Sequence, residues 1–89
     1  MRALFVGGNV DNSELDLEDA APPVNYPPST GNGLSRYRLR EIGGKKGRPV
    51  YAVYAAPHLS SEEVERVIAE RGYPRRFGVA ESERSRPDV

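Results

Sequence analysis

The chain has 89 residues, 29% of them charged and 37% hydrophobic, which is enough for one small domain and too few for two. It contains no cysteine, which excludes disulfides, thiol nucleophiles and thiolate metal sites, and its longest apolar stretch, residues 49–57, is far shorter than the roughly 20 residues that span a bilayer. The formal net charge is zero, but residues 1–34 carry five acids against one arginine, and residues 35–48 carry six basic residues against one acid.

The first predicted element is a hairpin. Ala3–Val6 is apolar, rich in strand-forming residues and followed by two glycines, which is typical of a buried strand. Glu14–Glu18 alternates with period two, so we expect its two leucines on a buried face and its three carboxylates on the other face. Gly7 and Gly8 lack the further glycine and the helix that a dinucleotide-binding loop requires, and we interpret them as part of the turn between the two strands.

A proline-rich loop is predicted for residues 19–34. Four prolines in this stretch exclude a helix and disfavour a central strand. A loop of this length is uncommon in a compact domain and is typical of a functional segment or of one without fixed structure. Tyr26 lies within it and is a candidate partner-binding residue.

A second hairpin is predicted around the glycine-rich turn at residues 43–48. In Ser35–Ile42 arginines alternate with apolar or aromatic residues, and Val50–Ala55 is β-branched and aromatic, so the two runs are expected to pair. The six basic residues of this hairpin are the main candidates for a binding surface: Arg36, Arg38, Arg40, Lys45, Lys46 and Arg48.

Three interpretations of these basic residues stay open. Carboxylates of Glu14, Asp16 and Glu18 would face the arginines and neutralise them if the second strand lay beside the third. The basic residues would otherwise bind an acidic protein partner. They would also suit a nucleic acid, with Tyr37 and Tyr51 available to stack on bases.

The strongest local signal predicts a helix over residues 61–71. Ser60 and Glu63 have the spacing of a capping box, and apolar residues follow at helical intervals. Gly72 is placed to adopt a left-handed cap, and Pro74 disfavours continuation of the helix. A short edge strand is expected beyond it, at residues 75–80.

These elements predict an α+β fold, in which two hairpins form a small antiparallel sheet of about four strands that packs on one C-terminal helix. Residues 1–80 are expected to form a single domain, and residues 81–89 a flexible polar tail. The core is predicted from the apolar residues that these elements turn inward: Leu4, Val6, Leu15, Leu17, Leu39, Val53 and Ile68.

No catalytic residue, metal site or cofactor site is predicted. His58 is the sole histidine and lacks the neighbouring ligands that a metal requires. The nearby serines at 60 and 61 are explained by helix capping, and no third residue is available to orient a nucleophile and its base. Carboxylates two apart on a strand are about 7 Å apart and solvated, which is typical of a polar face. We therefore expect a protein that is not an enzyme.

The order of segments resembles that of a group of short proteins from tailed bacteriophages. Met1–Asn12 is similar to their opening, an apolar strand followed by Gly-Gly-Pro, a variable residue and Asp-Gly, with Asn9 in place of the proline and Asn12 in place of the last glycine. In that group a proline-rich stretch, a Tyr-x-Leu-Arg strand, an aromatic strand and a short acidic helix follow. The last three correspond here to Tyr37–Arg40, Val50–Tyr54 and Leu59–Glu63.

The resemblance spans residues 1–74 and implies a bacteriophage or prophage accessory protein. We therefore expect a protein of the host-takeover or anti-defence type that binds a host or viral protein without catalysis. Two alternatives stay open, a nucleic-acid-binding protein that uses the basic hairpin 36–48 and a minor structural component of the virion. The expected location is the host cytoplasm or the virion, without a membrane segment or an export leader. The sequence does not indicate the oligomeric state.

Overall fold

The computed structural model describes residues 1–18, 21–27 and 36–87. Within them the chain forms one mixed sheet of six strands and two helices, so the predicted α+β class is confirmed. The strands are β1 (Arg2–Val6), β2 (Glu14–Asp16), β3 (Asn25–Tyr26), β4 (Tyr37–Lys45), β5 (Arg48–Ala55) and β6 (Arg84–Ser85). The helices are α1 (Ser61–Arg71) and α2 (Tyr73–Phe77).

The strands follow the order β2-β1-β5-β4-β3, and β6 also pairs with β4, outside this order. Both predicted hairpins, β1–β2 and β4–β5, are present and antiparallel. The expectation of about four strands, all antiparallel, is wrong. β1 and β5 pair in parallel, and two further strands of two residues each, β3 and β6, pair with β4. Parallel pairing joins residues about 50 positions apart, which no local pattern reveals.

The sheet buries apolar residues on both faces. The helix face, which α1 and α2 cover, contains Leu4, Val6, Tyr51, Val53, Ala55, Val64, Ile68, Tyr73 and Val79. The opposite face, called here the loop face, contains Ala3, Phe5, Tyr37, Leu39, Ala52, Tyr54 and Ala56, with Tyr26 of the proline-rich segment packed against them.

Five of the seven predicted core residues are buried, and they lie on two faces. Leu39 lies on the loop face, whereas the other four lie on the helix face. Leu17 is only half-buried, and Leu15 is wrong as a core residue because it is 41% exposed. Leu15 lies on the edge strand β2 and pairs with Ala3 of β1. Among the described residues, none covers its side chain enough to bury it.

A bulge in β4 reverses the alternation of its side chains. Leu39 pairs with Tyr54 and Glu41 pairs with Val53, so Arg40 is an extra residue between two consecutive pairs. Beyond the bulge, residue 41 therefore points to the helix face, although strict alternation would have put it with Leu39 on the loop face. Glu41 is fully buried as a result.

Helix α1 has the predicted bounds and caps. The Ser60 hydroxyl accepts a hydrogen bond from the Glu63 N–H, and the Glu63 carboxylate accepts one from the Ser60 N–H. Gly72 adopts a left-handed conformation with φ of 64°. The edge strand expected at 75–80 is wrong, since α2 begins immediately after Gly72, with Pro74 in its first turn, where the missing N–H costs little.

The C-terminal segment was expected to be a polar tail with little to bury. In the structure, Glu81–Glu83 forms a 3-10 turn and β6 follows, paired with Ile42 and Gly43 of β4. The segment has few apolar residues to bury, but Arg84 forms an ion pair with the buried Glu41. Neither described helix is long and apolar enough to cross a membrane.

Candidate functional site

The structure separates the predicted basic residues into two groups at opposite ends of β4. The strand-end group is Arg36, Arg38 and Arg40, and the tip group is Lys45, Lys46 and Arg48. Lys45 is seven positions beyond Arg38 and five beyond Arg40, which corresponds to about 23 Å and about 16 Å along the strand. The turn between the groups' two strands is only Lys46 and Gly47, with φ of 53° and 79°, as a tight two-residue hairpin turn requires.

Ion pairing distinguishes these six residues from the other basic residues. Outside the hairpin there are seven arginines, and six of them form ion pairs with carboxylates: Arg2, Arg66, Arg71, Arg76, Arg84 and Arg86. No member of the strand-end or tip group forms an ion pair with a described residue. The unneutralised positive charge in the described parts of the chain is therefore concentrated on the β4–β5 hairpin.

The interpretation that the β2 carboxylates neutralise the arginines is wrong. Strands β1 and β5 lie between β2 and β4, so Glu14, Asp16 and Glu18 are on the far side of the sheet. Glu14 instead pairs with Arg76 at 2.6 Å and with Arg2 at 2.9 Å, and the hydrogen bond from Arg76 is the main reason why the pKa of Glu14 is lowered. Asp16 pairs with Arg2 as well.

The strand-end group borders a groove of about 510 Å³ between β4 and the start of α1. Its lining comprises Arg38, Arg40, Ser61, Glu62, Val64, Glu65, Ile68, Arg86 and Pro87. An Nη2 atom of Arg40 donates to the Leu59 carbonyl at 3.1 Å, which fixes this guanidinium beside the helix start. Arg38 is exposed and makes no hydrogen bond with the described residues. The groove thus combines open cations with carboxylates, and its two aliphatic residues, Val64 and Ile68, are buried.

The tyrosines near the basic residues are buried. Tyr37 is 9% exposed, donates its hydroxyl proton to the Gly7 carbonyl at 2.6 Å and accepts from the Val10 N–H. Tyr51 is fully buried on the helix face. Neither ring is available to stack on a base, so the predicted role of these tyrosines in nucleic-acid binding is not supported by their position.

Tyr26, also a predicted partner-binding residue, is half-buried on the loop face. Its ring centroid lies 5.6 Å from that of Phe5 and 5.9 Å from that of Tyr54. The Tyr54 hydroxyl donates to the Pro23 carbonyl at 2.8 Å. Residues 21–27 therefore pack on the sheet. Tyr26 pairs with Tyr37, beside the pair formed by Asn25 and Arg38, but its ring lies on the loop face and is not part of the groove lining.

The sequence did not predict a buried charged cluster that adjoins the groove through Glu65 and Arg86. The Glu41 carboxylate accepts hydrogen bonds from Arg84 Nε at 3.0 Å, Arg84 Nη2 at 2.8 Å and the Tyr51 hydroxyl at 2.6 Å. Burial raises the pKa of the Tyr51 phenol strongly, and the adjacent Glu41 carboxylate raises it further. The hydrogen bond to Glu41 likewise raises the pKa of Arg84.

Further charges surround this pair and connect it to α1. Arg84 also binds Glu65 of α1 at 3.0 Å and Glu81 at 2.8 Å, and Arg86 binds Glu65 at 2.8 Å. Because both carboxylate oxygens of Glu41 are occupied by donors, the cluster holds the C-terminal segment in place. The only sign of this cluster in the sequence is Glu41, a single acid within a basic strand. The bulge that turns Glu41 inward leaves no periodic pattern.

The glycine pair lies at the start of the seven-residue connection between β1 and β2, in which Gly8–Val10 forms a 3-10 turn, so its predicted place in the turn is confirmed. Gly7 and Gly8 have φ of 77° and 70°, and a Cβ on Gly8 would lie 2.5 Å from the Tyr37 hydroxyl oxygen. The Asp11 carboxylate accepts from the Gly7 N–H and from Arg71, and these contacts, chiefly the first, lower the pKa of Asp11. A carboxylate therefore occupies the position that a phosphate would need.

The described residues show no further reactive grouping. His58 is exposed, just before the Ser60 cap. No three His, Asp or Glu side chains within the described segments are placed to hold a metal ion. No family model matches the chain, and neither a curated protein nor a solved structure matches it.

Proposed function

We propose that this protein is a non-enzymatic binding protein that engages a host or viral protein through the basic side of its β4–β5 hairpin. The observation that carries the proposal is that the six hairpin cations have no carboxylate partner among the described residues, although six of the other seven basic residues do. Unpaired charges of one sign attract a partner of the opposite sign and steer its approach.

A protein partner fits this surface better than a nucleic acid does. The tyrosines that would stack on bases are buried, and the nearest members of the strand-end and tip groups, Arg40 and Lys45, are about 16 Å apart along the strand. Glu62 and Glu65 also line the groove beside the arginines, so a phosphate backbone lying there would meet carboxylates. Mixed charge of this kind is typical of the polar rim of a protein interface.

The biological setting of the proposal rests on the resemblance to tailed-phage proteins. A phage accessory protein of the host-takeover or anti-defence type would act in the host cytoplasm on a bacterial or phage protein. A minor virion component would use the same hairpin to contact another copy or a capsid protein.

Affinity capture from phage-infected bacteria, followed by mass spectrometry, tests this proposal. The wild-type chain is compared with a variant in which the strand-end and tip groups are all replaced by glutamine. The matched control is Arg66→Gln combined with Arg75→Gln, which removes two exposed cations outside the hairpin. We expect a protein that is captured by the wild type and the control but not by the sixfold variant.

Salt dependence separates the two macromolecule classes. Binding to a nucleic acid predicts that log affinity falls linearly with log salt, by roughly 0.9 for each phosphate contacted. A mixed protein interface predicts a shallower fall. Capture of nucleic acid with the steep slope, or a captured protein that is retained by the sixfold variant, would overturn the proposal.

A further inference from the structure

We propose that the groove between β4 and α1 is the binding site itself, and that its ligand is an acidic peptide segment with an apolar side chain. This inference rests on the proposed function and makes it specific. It assigns recognition to the strand-end group, in particular Arg38 and Arg40, and assigns no role in recognition to the tip group.

The first argument is the number of free donors on the strand side of the groove. A guanidinium carries five N–H donors. Arg40 uses one of them on the Leu59 carbonyl, and Arg38 uses none on the described residues. The two side chains therefore present donors in the planar arrangement that pairs with a carboxylate through two hydrogen bonds.

The second argument is the chemistry of the rest of the groove. Val64 and Ile68 belong to its lining but are buried, and Pro87 is half-buried. Among the acidic residues of the lining, Glu65 is already paired with Arg84 and Arg86, whereas Glu62 forms no ion pair with the described residues. Two open cations and one open anion therefore line the groove, and Pro87 offers an apolar contact beside them.

This arrangement fits a peptide in which acidic and apolar side chains are close together. Carboxylates of the peptide would bind Arg38 and Arg40, and the apolar side chain would contact Pro87, the half-buried apolar residue of the lining. The groove volume of about 510 Å³ is within the range of roughly 300–1,000 Å³ that is typical of ligand sites. A phosphodiester chain has charge at every unit and would place a phosphate near Glu62.

The tip group lacks this arrangement. Lys46 is a turn residue whose N–H donates to Glu83, and Lys45 lies near Gly78. Arg48 lines a separate hollow together with Pro49 and Glu83. The tip is about 23 Å from Arg38, which exceeds the screening length of about 8 Å at physiological salt. Its charges therefore contribute little to binding in the groove.

The test is amide chemical-shift mapping and fluorescence anisotropy with the full chain. The probe is a fluorescein-labelled short peptide of alternating glutamate and leucine, and the control probe has glutamine in place of glutamate. We expect shifts in 38–40 and 61–68, and binding of the glutamate peptide only. Arg38→Gln should weaken this binding by about tenfold, since it removes the two charged hydrogen bonds to a peptide carboxylate.

Arg48→Gln is the matched control and should change binding by less than about twofold. The inference is overturned if neither peptide binds, if the glutamine peptide binds equally well, if Arg48→Gln weakens binding as much as Arg38→Gln, or if an oligothymidine binds the same groove more tightly. A captured partner that is lost with the sixfold variant and kept with Arg38→Gln would overturn this inference while leaving the proposed function standing. A partner kept by both variants would overturn the proposed function.

Discussion

The two faces of the sheet each hold an irregular segment, and they do so with different interactions. On the helix face, residues 81–87 are attached through Arg84, whose guanidinium binds the fully buried Glu41. On the loop face, residues 21–27 are attached through Tyr26, which packs on the aromatic rings of Phe5 and Tyr54. One attachment is made of charge and hydrogen bonds, and the other is made mainly of ring contacts.

The difference determines how each attachment responds to damage. A buried ion pair is strongly destabilised when one partner is removed, because the other charge stays buried without compensation. Ring packing is a sum of many weak contacts, and loss of one ring removes only its share. Removal of a single partner should therefore have a larger effect on the helix face than on the loop face.

The largest effect is expected for Glu41→Ala. This change removes the buried partner of Arg84, which keeps Glu65 and Glu81, and leaves the Tyr51 hydroxyl without an acceptor. We expect the free energy of unfolding to fall by about 3 kcal/mol, measured by urea denaturation, which is the lower end for a broken buried pair because two carboxylates still contact Arg84. Glu41→Gln keeps an acceptor for Tyr51 and should fall between this variant and the wild type.

A double variant tests whether the loss of stability comes from breaking the ion pair between Glu41 and Arg84. Glu41→Leu combined with Arg84→Leu removes both charges at once, so it should be more stable than Glu41→Ala alone. A single variant that loses less than about 1 kcal/mol would show that the pair contributes little and that the contrast between the faces is wrong.

A smaller effect is expected for Tyr26→Ala on the loop face. It removes two aromatic contacts, and each such contact contributes roughly 0.5–1.5 kcal/mol beyond the area buried. We expect a loss of about 1–3 kcal/mol by urea denaturation. Tyr26→Phe keeps the ring and should be nearly neutral, since the hydroxyl makes no hydrogen bond with the described residues. An equal loss in both variants would refute the ring-packing explanation.

The parts of the fold that could be predicted are those that depend on residues close together in sequence. Local patterns predicted the hairpins and α1, because alternation and the Ser60–Glu63 cap depend on residues close together in sequence. Strands β3 and β6 have two residues each, too few to produce a period. The parallel pairing of β1 with β5 depends on how the two hairpins dock, which local propensity does not determine.

The candidate site was predictable in composition but not in arrangement. The alternation of residues 36–42 identified the arginines as a surface group. Whether they would be neutralised depended on strand order, and β2 proved to lie across the sheet from them. The bulge at Arg40 turned Glu41 inward, and one inserted residue of this kind leaves no trace in a period-two pattern.

The helix cap offers a sharper probe of the helix face. Ser60→Ala removes the acceptor for the Glu63 N–H and should lower the free energy of unfolding by about 1 kcal/mol. Amide exchange should accelerate in the first turn of α1 and remain unchanged in β3, which lies beside the loop-face segment. Ser61→Ala is the matched control, since its exposed side chain makes no hydrogen bond with the described residues. Equal acceleration in β3 would show that the two faces are not independent.

The smallest effect is expected where α1 reaches the β1–β2 turn. Arg71 binds Asp11 at 2.9 Å, and Asp11→Asn removes the charge while keeping an acceptor for the Gly7 N–H. Because the pKa of Asp11 is lowered on folding, its carboxylate stabilises the protein above its ordinary value of 3.8, and this stabilisation is lost as the pH falls through the lower folded pKa. Thus Asp11→Asn should be less stable by about 0.5 kcal/mol at neutral pH, a value set by the exposure of the pair, and should match the wild type in strong acid. Urea denaturation across this pH range measures the difference, and a constant difference at every pH would exclude the ion pair as its cause.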